Sequence, residues 1–218
     1  MKKIFATLLA ASLLLIGTQA HAQLATGAGY LFASETTSTT NASADAIPHH
    51  GFYLGGSYNV PIVAGLGVAP GFYVDMLLYS YNYSAGSSFI GGTVSERYTE
   101  VALNVPVNVT YSFEFGRNLA LRFFAGPVFQ YGVMARSTYN EAVNIGPIHV
   151  SDGQAYNHYD SQNGDTNPFN IYLGGGLGFQ AGDLMFTVGY DHNLLDIDKS
   201  DNTKTNRHQI KAGINFLF

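Results

Sequence analysis

The sequence predicts an all-β protein: an eight-stranded antiparallel up-and-down β-barrel that crosses a membrane, preceded by a cleaved N-terminal signal peptide. Three observations carry that expectation. Charged residues are only 11% of the chain, while Tyr and Phe number 15 each. A typical soluble domain has about 25% charged residues, and a water-facing surface is hard to build from fewer than half of that. Apolar residues recur with period two along most of the chain, which is the spacing of strands. Past the N-terminal segment, no apolar run reaches the roughly 18 residues expected of a membrane helix. A chain that meets lipid without helices must close its backbone hydrogen bonds as a barrel.

Residues 1–22 read as an address. Lys2 and Lys3 open the chain, and Ile4 to Ile16 is apolar apart from Thr7 and Ser12. Ala20-His21-Ala22 then supplies an A-x-A cleavage pattern. Residue 23 is Gln, which excludes the cysteine of a lipoprotein anchor. Residues 23–218 form one barrel domain. Loss of Lys2 and Lys3 takes the formal net charge from −5 to −7, so nothing favours nucleic acid. The absence of cysteine excludes disulfides and thiolate metal sites.

Eight runs alternate: Leu24 to Phe32, Gly51 to Val60, Val68 to Tyr81, Val101 to Phe113, Leu119 to Val133, Ile171 to Gln180, Leu184 to Asp191 and Gln209 to Phe218. The clearest places Val101, Leu103, Val105, Val107, Val109, Tyr111 and Phe113 on one face. Opposite them stand Ala102, Asn104, Pro106, Asn108, Thr110 and Ser112. Pro106, Pro127 and the run Gly174-Gly175-Gly176 read as bulges, because proline cannot donate to the ladder. Connections at Pro61 to Gly67, Glu114 to Asn118 and Ala181 to Asp183 are short. Those at Glu35 to His50, Asn82 to Glu96, Ala135 to Asn167 and Ile197 to Asn206 are long and polar. That alternation of lengths is the asymmetry of membrane barrels.

A soluble lipocalin-like barrel binding a hydrophobic ligand would alternate too, with its apolar face inward. Here the polar face is Gly, Ala, Asn, Thr and Gln, which suits a narrow lumen filled by side chains. Parity turns Asp75, Arg122, Asp191 and Lys211 into that lumen, two acids and two bases that form one neutral network and close the pore. Asp191 and Lys211 are expected as near-opposite neighbours across the last hairpin. His192 and His208 fall on the outer face at the long-loop end. Tyr111, Phe113, Phe179, Phe216 and Phe218 form an aromatic girdle at the other.

The end Gly213-Ile214-Asn215-Phe216-Leu217-Phe218 resembles the assembly signal of outer-membrane barrels. The segment Glu100 to Tyr111, followed by Phe124-Ala-Gly-Pro-Val128, resembles the central strands of the outer-membrane β-barrel domain family, which includes PorT-like and small OmpA- and OmpX-like proteins. The resemblance spans the mature chain. It implies the bacterial outer membrane as location, and lipid, lipopolysaccharide and the barrel assembly machinery as partners. It implies no cofactor. An extracellular ligand would meet the long loops.

Some small barrels modify lipids. His149, Ser151 and Asp152 group a base, a hydroxyl and a carboxylate, and the His-x-Ser pair resembles that of outer-membrane lipid A deacylases. The chemistry needs the base within hydrogen-bond reach of the nucleophile, and this triplet lies in the longest loop with no strand to fix it. His149, His158, Asp160 and Asp165 lack the spacing of a zinc or calcium site and read as a solvated acidic loop. Asp196, Asp198 and Asp201 read likewise. The expected protein is a structural or surface-interaction barrel without catalysis. An acyl hydrolase is the alternative.

Overall fold

The structure is a computed structural model and describes residues 23–39, 42–43, 46–86, 90–116, 118–145, 148–160, 164–199 and 203–218. The expected signal peptide and Asp201 lie outside these residues. The strands are β1 (Gln23–Thr39), β2 (Ala42–Ser43), β3 (Ile47–Val63), β4 (Leu66–Gly86), β5 (Ile90–Gly116), β6 (Leu119–Ile145), β7 (Ile148–Asn157), β8 (Phe169–Ala181), β9 (Leu184–Asn193) and β10 (Thr203–Leu217). They pair antiparallel in the order β10-β9-β8-β6-β5-β4-β3-β1-β2. β10 pairs back onto β1 from Ala25↔Leu217 to Thr39↔Thr203, so the sheet closes into a ring. β7 lies off this path and pairs with β6.

The apolar face points out. On β5, Val105, Val107, Val109, Tyr111, Phe113 and Phe115 are 37–54% exposed, whereas Ala102, Asn104 and Thr110 are at most 3% exposed. This arrangement is the inverse of a soluble ligand-binding barrel, and that alternative fails. Short turns gather at one end. β3 and β4 are joined through Ala64 and Gly65, both at positive φ (46° and 82°). Two such residues are what a tight hairpin turn needs to match the twist of its strands.

Three expectations need correction. The ladders do not bulge at the prolines or the glycine run. Pairing resumes in the same register beyond Pro106 and Pro127 (Pro106↔Val128, Val109↔Ala125). Gly174, Gly175 and Gly176 pair in sequence with Gly126, Ala125 and Phe124. A missing N–H removes a bond without adding a residue. Second, much of the expected long loops is strand: β4 with β5, and β6 with β7, run on as hairpins to Gly86↔Gly91 and Ile145↔Ile148. Ser, Thr, Asn and Gly are frequent in these extensions, so no apolar alternation marks them.

Third, β6 does not end at Val133. The partners of Val101 and Ala102 are Met134 and Gly132, which leaves Val133 as the extra residue of a bulge. A bulge re-aims side chains. Below it Phe129 and Tyr131 face out; above it Met134 faces out, while Ala135 and Ser137 turn inward and are 0% and 1% exposed.

Candidate functional site

Charged residues occupy the lumen in two separate layers. In the first, Lys211 Nζ lies 3.0 Å from Asp75 Oδ2 and 3.2 Å from Asp191 Oδ2. Asp191 pairs with Gln209, so it sits diagonal to Lys211 across the last hairpin, not opposite it. Arg122 stands apart from these acids, which corrects the single network expected. Its Nε donates to Ser112 Oγ (3.1 Å) and its Nη2 to Gln23 Oε1 (2.8 Å), towards the short-turn end. A cavity of about 120 Å³ lies between, lined by Arg122, Asp191 and Lys211 among others.

The second layer is one the sequence reading missed. Arg207 on β10 donates from Nη1 and Nη2 to the two carboxylate oxygens of Glu100, both at 2.8 Å. Its Nε donates to Glu35 Oε1, and Nη2 also pairs with Glu35. Two parallel N–H···O bonds match the planar fork of arginine to a carboxylate. Tyr98 and Tyr159 hydroxyls donate to Glu100 at 2.7 and 2.8 Å. Tyr159 reaches the lumen because residue 132 is glycine: a Cβ there would overlap its ring. Arg207 and Glu100 are 2% and 1% exposed. A charge so deeply buried is tolerable only when fully paired.

On this layer, towards the long-hairpin end, rests a vestibule of about 250 Å³ lined by Glu35, His49, Glu96, Tyr98, Ser137, His158 and Asp165 among others. Ser137 Oγ is 2.8 Å from His158 Nε2, and His158 Nδ1 is 2.9 Å from Asp165 Oδ1. A carboxylate at Nδ1 calls for the proton there, leaving Nε2 to accept from the serine. The backbone fixes the ring's position, since His158 N–H donates to Ala135 O (2.8 Å) and Thr166 N–H to His158 O (3.1 Å). Ser137 Oγ also lies 3.4 Å from Glu96 Oε1. So His158 and Asp165, read as a solvated loop, belong to an ordered chain of hydrogen bonds.

The triplet His149, Ser151 and Asp152 lies on β7, not in a loop. The His149 side chain is outside the described residues, and Ser151 is exposed. Asp196 Oδ1 accepts the backbone N–H groups of Asp198 and Thr205, and Asp198 Oδ2 accepts from Thr203. These two acids organise the β9–β10 connection instead of standing free in solvent. On the outer face, His192 and His208 stack with ring centroids 4.7 Å apart, and the Tyr190 hydroxyl meets His208 Nδ1. Tyr30 meets His50 in the same way. Phe216 and Phe218 are exposed at the short-turn end. Among the described residues, no group of three or more His, Cys, Asp or Glu could hold a metal ion.

An antiparallel ring with an apolar exterior and a charged, side-chain-lined interior defines a transmembrane β-barrel. The chain belongs to the outer membrane protein beta-barrel domain family, whose pattern matches residues 18–199, and its place is the bacterial outer membrane. Among solved structures it is similar to Ail, the attachment invasion locus protein of Yersinia pestis, in complex with the heparin analogue sucrose octasulfate. That match has 14% identity and a TM-score of 0.42, and covers 90% of this chain and 99% of that one. The outer membrane protein OprG of Pseudomonas aeruginosa matches with 11% identity and a TM-score of 0.41, covering 90% and 95%. Neisserial surface protein A matches with 15% identity and a TM-score of 0.35, covering 89% and 96%. No curated protein matches in sequence.

Proposed function

We propose that the chain is an eight-stranded, non-conducting outer-membrane barrel that works through its long-hairpin end, held outside the cell as a surface-interaction platform without catalysis. The strands that cross are β1, β3, β4, β5, β6, β8, β9 and β10; β2 and β7 are additions at the outer end. The observation that carries this reading is the pair of salt-bridged layers, Lys211 with Asp75 and Asp191, and Arg207 with Glu35 and Glu100. A barrel of about eight strands has room inside for side chains or one small ligand only. The outward Tyr30, His50, Tyr190, His192 and His208 would meet lipid and lipopolysaccharide headgroups at the outer interface. Phe216 and Phe218 would be read by the assembly machinery after removal of residues 1–22. Planar-bilayer recording tests the central point: silent bilayers are expected, and steady single-channel conductance from the wild-type protein contradicts it.

Acyl hydrolysis is the second reading, favoured by the Ser137–His158–Asp165 chain, whose order is that of a nucleophile, base and orienting acid. Its surroundings oppose it. Acyl transfer needs donors aimed at a developing oxyanion, whereas the group beside Ser137 Oγ is the Glu96 carboxylate at 3.4 Å. Covalent labelling of Ser137 by a fluorophosphonate, abolished in Ser137→Ala, would establish the hydrolase; an unlabelled protein is the outcome expected here.

A further inference from the structure

Arg122 is 8% exposed, yet its guanidinium forms no ion pair among the described residues. Lys211 and Arg207, the cations of the two lumen layers, each hold two carboxylates. A buried charge is costly unless it is paired. A guanidinium has five N–H donors. Arg122 spends Nε on Ser112 and one Nη2 hydrogen on Gln23. The other three have no acceptor among the described residues, and Nη1 is not sealed from solvent.

The second observation is the cavity that Arg122 lines at the short-turn end. It measures about 640 Å³, with Gly65 of the β3–β4 turn and Phe218 in its walls. Arg122 also lines the smaller cavity beside Lys211, so its guanidinium stands between the two. Three polar side chains on the larger cavity already use their oxygens as acceptors. Ser112 Oγ and Gln23 Oε1 accept from Arg122, and Asn59 Oδ1 accepts from Thr110 at 2.7 Å. What they have left is donors: the Ser112 hydroxyl hydrogen, Gln23 Nε2 and Asn59 Nδ2. Neither amide nitrogen is sealed from solvent. Glu114 is the acid among these walls; it is exposed at the rim and forms no ion pair with Arg122.

We infer that this cavity binds a small monocarboxylate, with Arg122 as its counter-charge. The inference goes beyond the proposed surface role and takes from it only the naming of the short-turn end as periplasmic. A carboxylate presents two oxygens to the free Nη1 and Nη2 hydrogens, the match a planar guanidinium fork makes best. Ser112, Gln23 and Asn59 supply neutral donors around it. One positive charge suits a monoanion, and the Glu114 carboxylate at the rim repels a dianion more strongly. Pro61, Ala120 and Phe218 give the same cavity apolar wall for a short alkyl chain.

The test is amide-resolved NMR of the mature protein in uncharged detergent micelles, titrated with sodium propionate. Propionamide, sodium chloride and sodium phosphate are run as separate titrants at matched ionic strength. Saturable shifts at the amides of residues 112 and 122 are expected with propionate. Propionamide should give none, and chloride and phosphate should bind more weakly. Arg122→Gln should weaken propionate binding about tenfold or more, the scale of losing a charged hydrogen-bond partner. Ser112→Ala should weaken it about threefold, the scale of one neutral hydrogen bond. Glu114→Gln should bind as tightly as wild type or more so. Asp152→Asn, on β7 at the other end, should change nothing. The gel shift between boiled and unboiled samples reports whether each variant is folded. If Arg122→Gln does not fold, Ser112→Ala takes its place. Absence of saturable shifts, an equal response to propionamide, a preference for phosphate or chloride, or undiminished binding by the folded variant overturns the inference. So does weakened binding in Glu114→Gln. None of these outcomes bears on bilayer conductance, so the proposed non-conducting role stands or fails separately.

Discussion

Lys211 on β10 reaches Asp75 on β4, Nζ to Oδ2 at 3.0 Å, although β1 and β3 stand between their strands. The contact crosses the lumen instead of following the wall, and Asp191 completes it from β9 at 3.2 Å. Asp75 is 2% exposed. Asp75 and Asp191 together hold one lysine, so removing that lysine leaves two buried carboxylates facing each other.

Lys211→Met should therefore destabilise the barrel by about 3–5 kcal/mol, the cost of breaking a buried pair from one side. Asp75→Asn with Lys211→Met should recover much of that loss. Asp152→Ala, a solvent-exposed acid on β7, should change little. Urea unfolding of protein folded into lipid vesicles measures all three, and equal stability of Lys211→Met and wild type removes this layer from the account.

Arg207 gives a sharper case, because its fork serves two carboxylates. Arg207→Lys keeps the charge but cannot hold both oxygens of Glu100 in parallel. It should cost about 1.5–3 kcal/mol, the worth of a charged hydrogen bond. Arg207→Leu with Glu100→Leu should cost less than the sum of the two single changes, since either one already breaks the buried pair. A double-mutant cycle with a coupling near zero would contradict the pairing.

The lipid face carries its own prediction. Val105→Arg, at mid-strand on the outside of β5, should cost about 2–4 kcal/mol, as cationic side chains do near the bilayer midplane. Thr93→Arg on the same outer face, but in the hairpin extension, should be tolerated. Refolding yield into vesicles distinguishes the two positions.

Phe218 closes the sheet as well as ending it: its N–H donates to Leu24 O at 2.8 Å. Deleting Phe218 should leave protein in the periplasm on cell fractionation. Normal recovery in the outer membrane would make the terminal aromatic pattern an ordinary strand end.

Where apolar alternation was strong, the sequence was read correctly: the outward row from Val101 to Phe113 and the inward turn of Asp75, Asp191 and Lys211 follow from parity alone. The second charged layer was missed for a local reason. Arg207 is two residues before Gln209, Glu100 one before Val101, and Glu35 three after Phe32, each just past the point where the apolar face gives out. Continuing each strand's parity by one to three residues would have placed all three inside. Ser137 could not be found that way. Val133 and Met134 break the alternation, and two adjacent apolar residues look like a strand end when they are a bulge. His158 and Asp165 are brought to Ser137 by the β7–β8 connection, whose backbone bonds leave no pattern in the sequence.

Oxygen accessibility along β5 decides whether its apolar face meets lipid. The chain has no cysteine, so single cysteines from Val101 to Phe113 can each carry a spin label in protein reconstituted into liposomes. High accessibility to oxygen in the bilayer is expected at 103, 105, 107, 109 and 111, and low accessibility at 102, 104, 106, 108 and 110. The inverted phase, or no alternation across these positions, would contradict a membrane barrel with a side-chain-filled lumen.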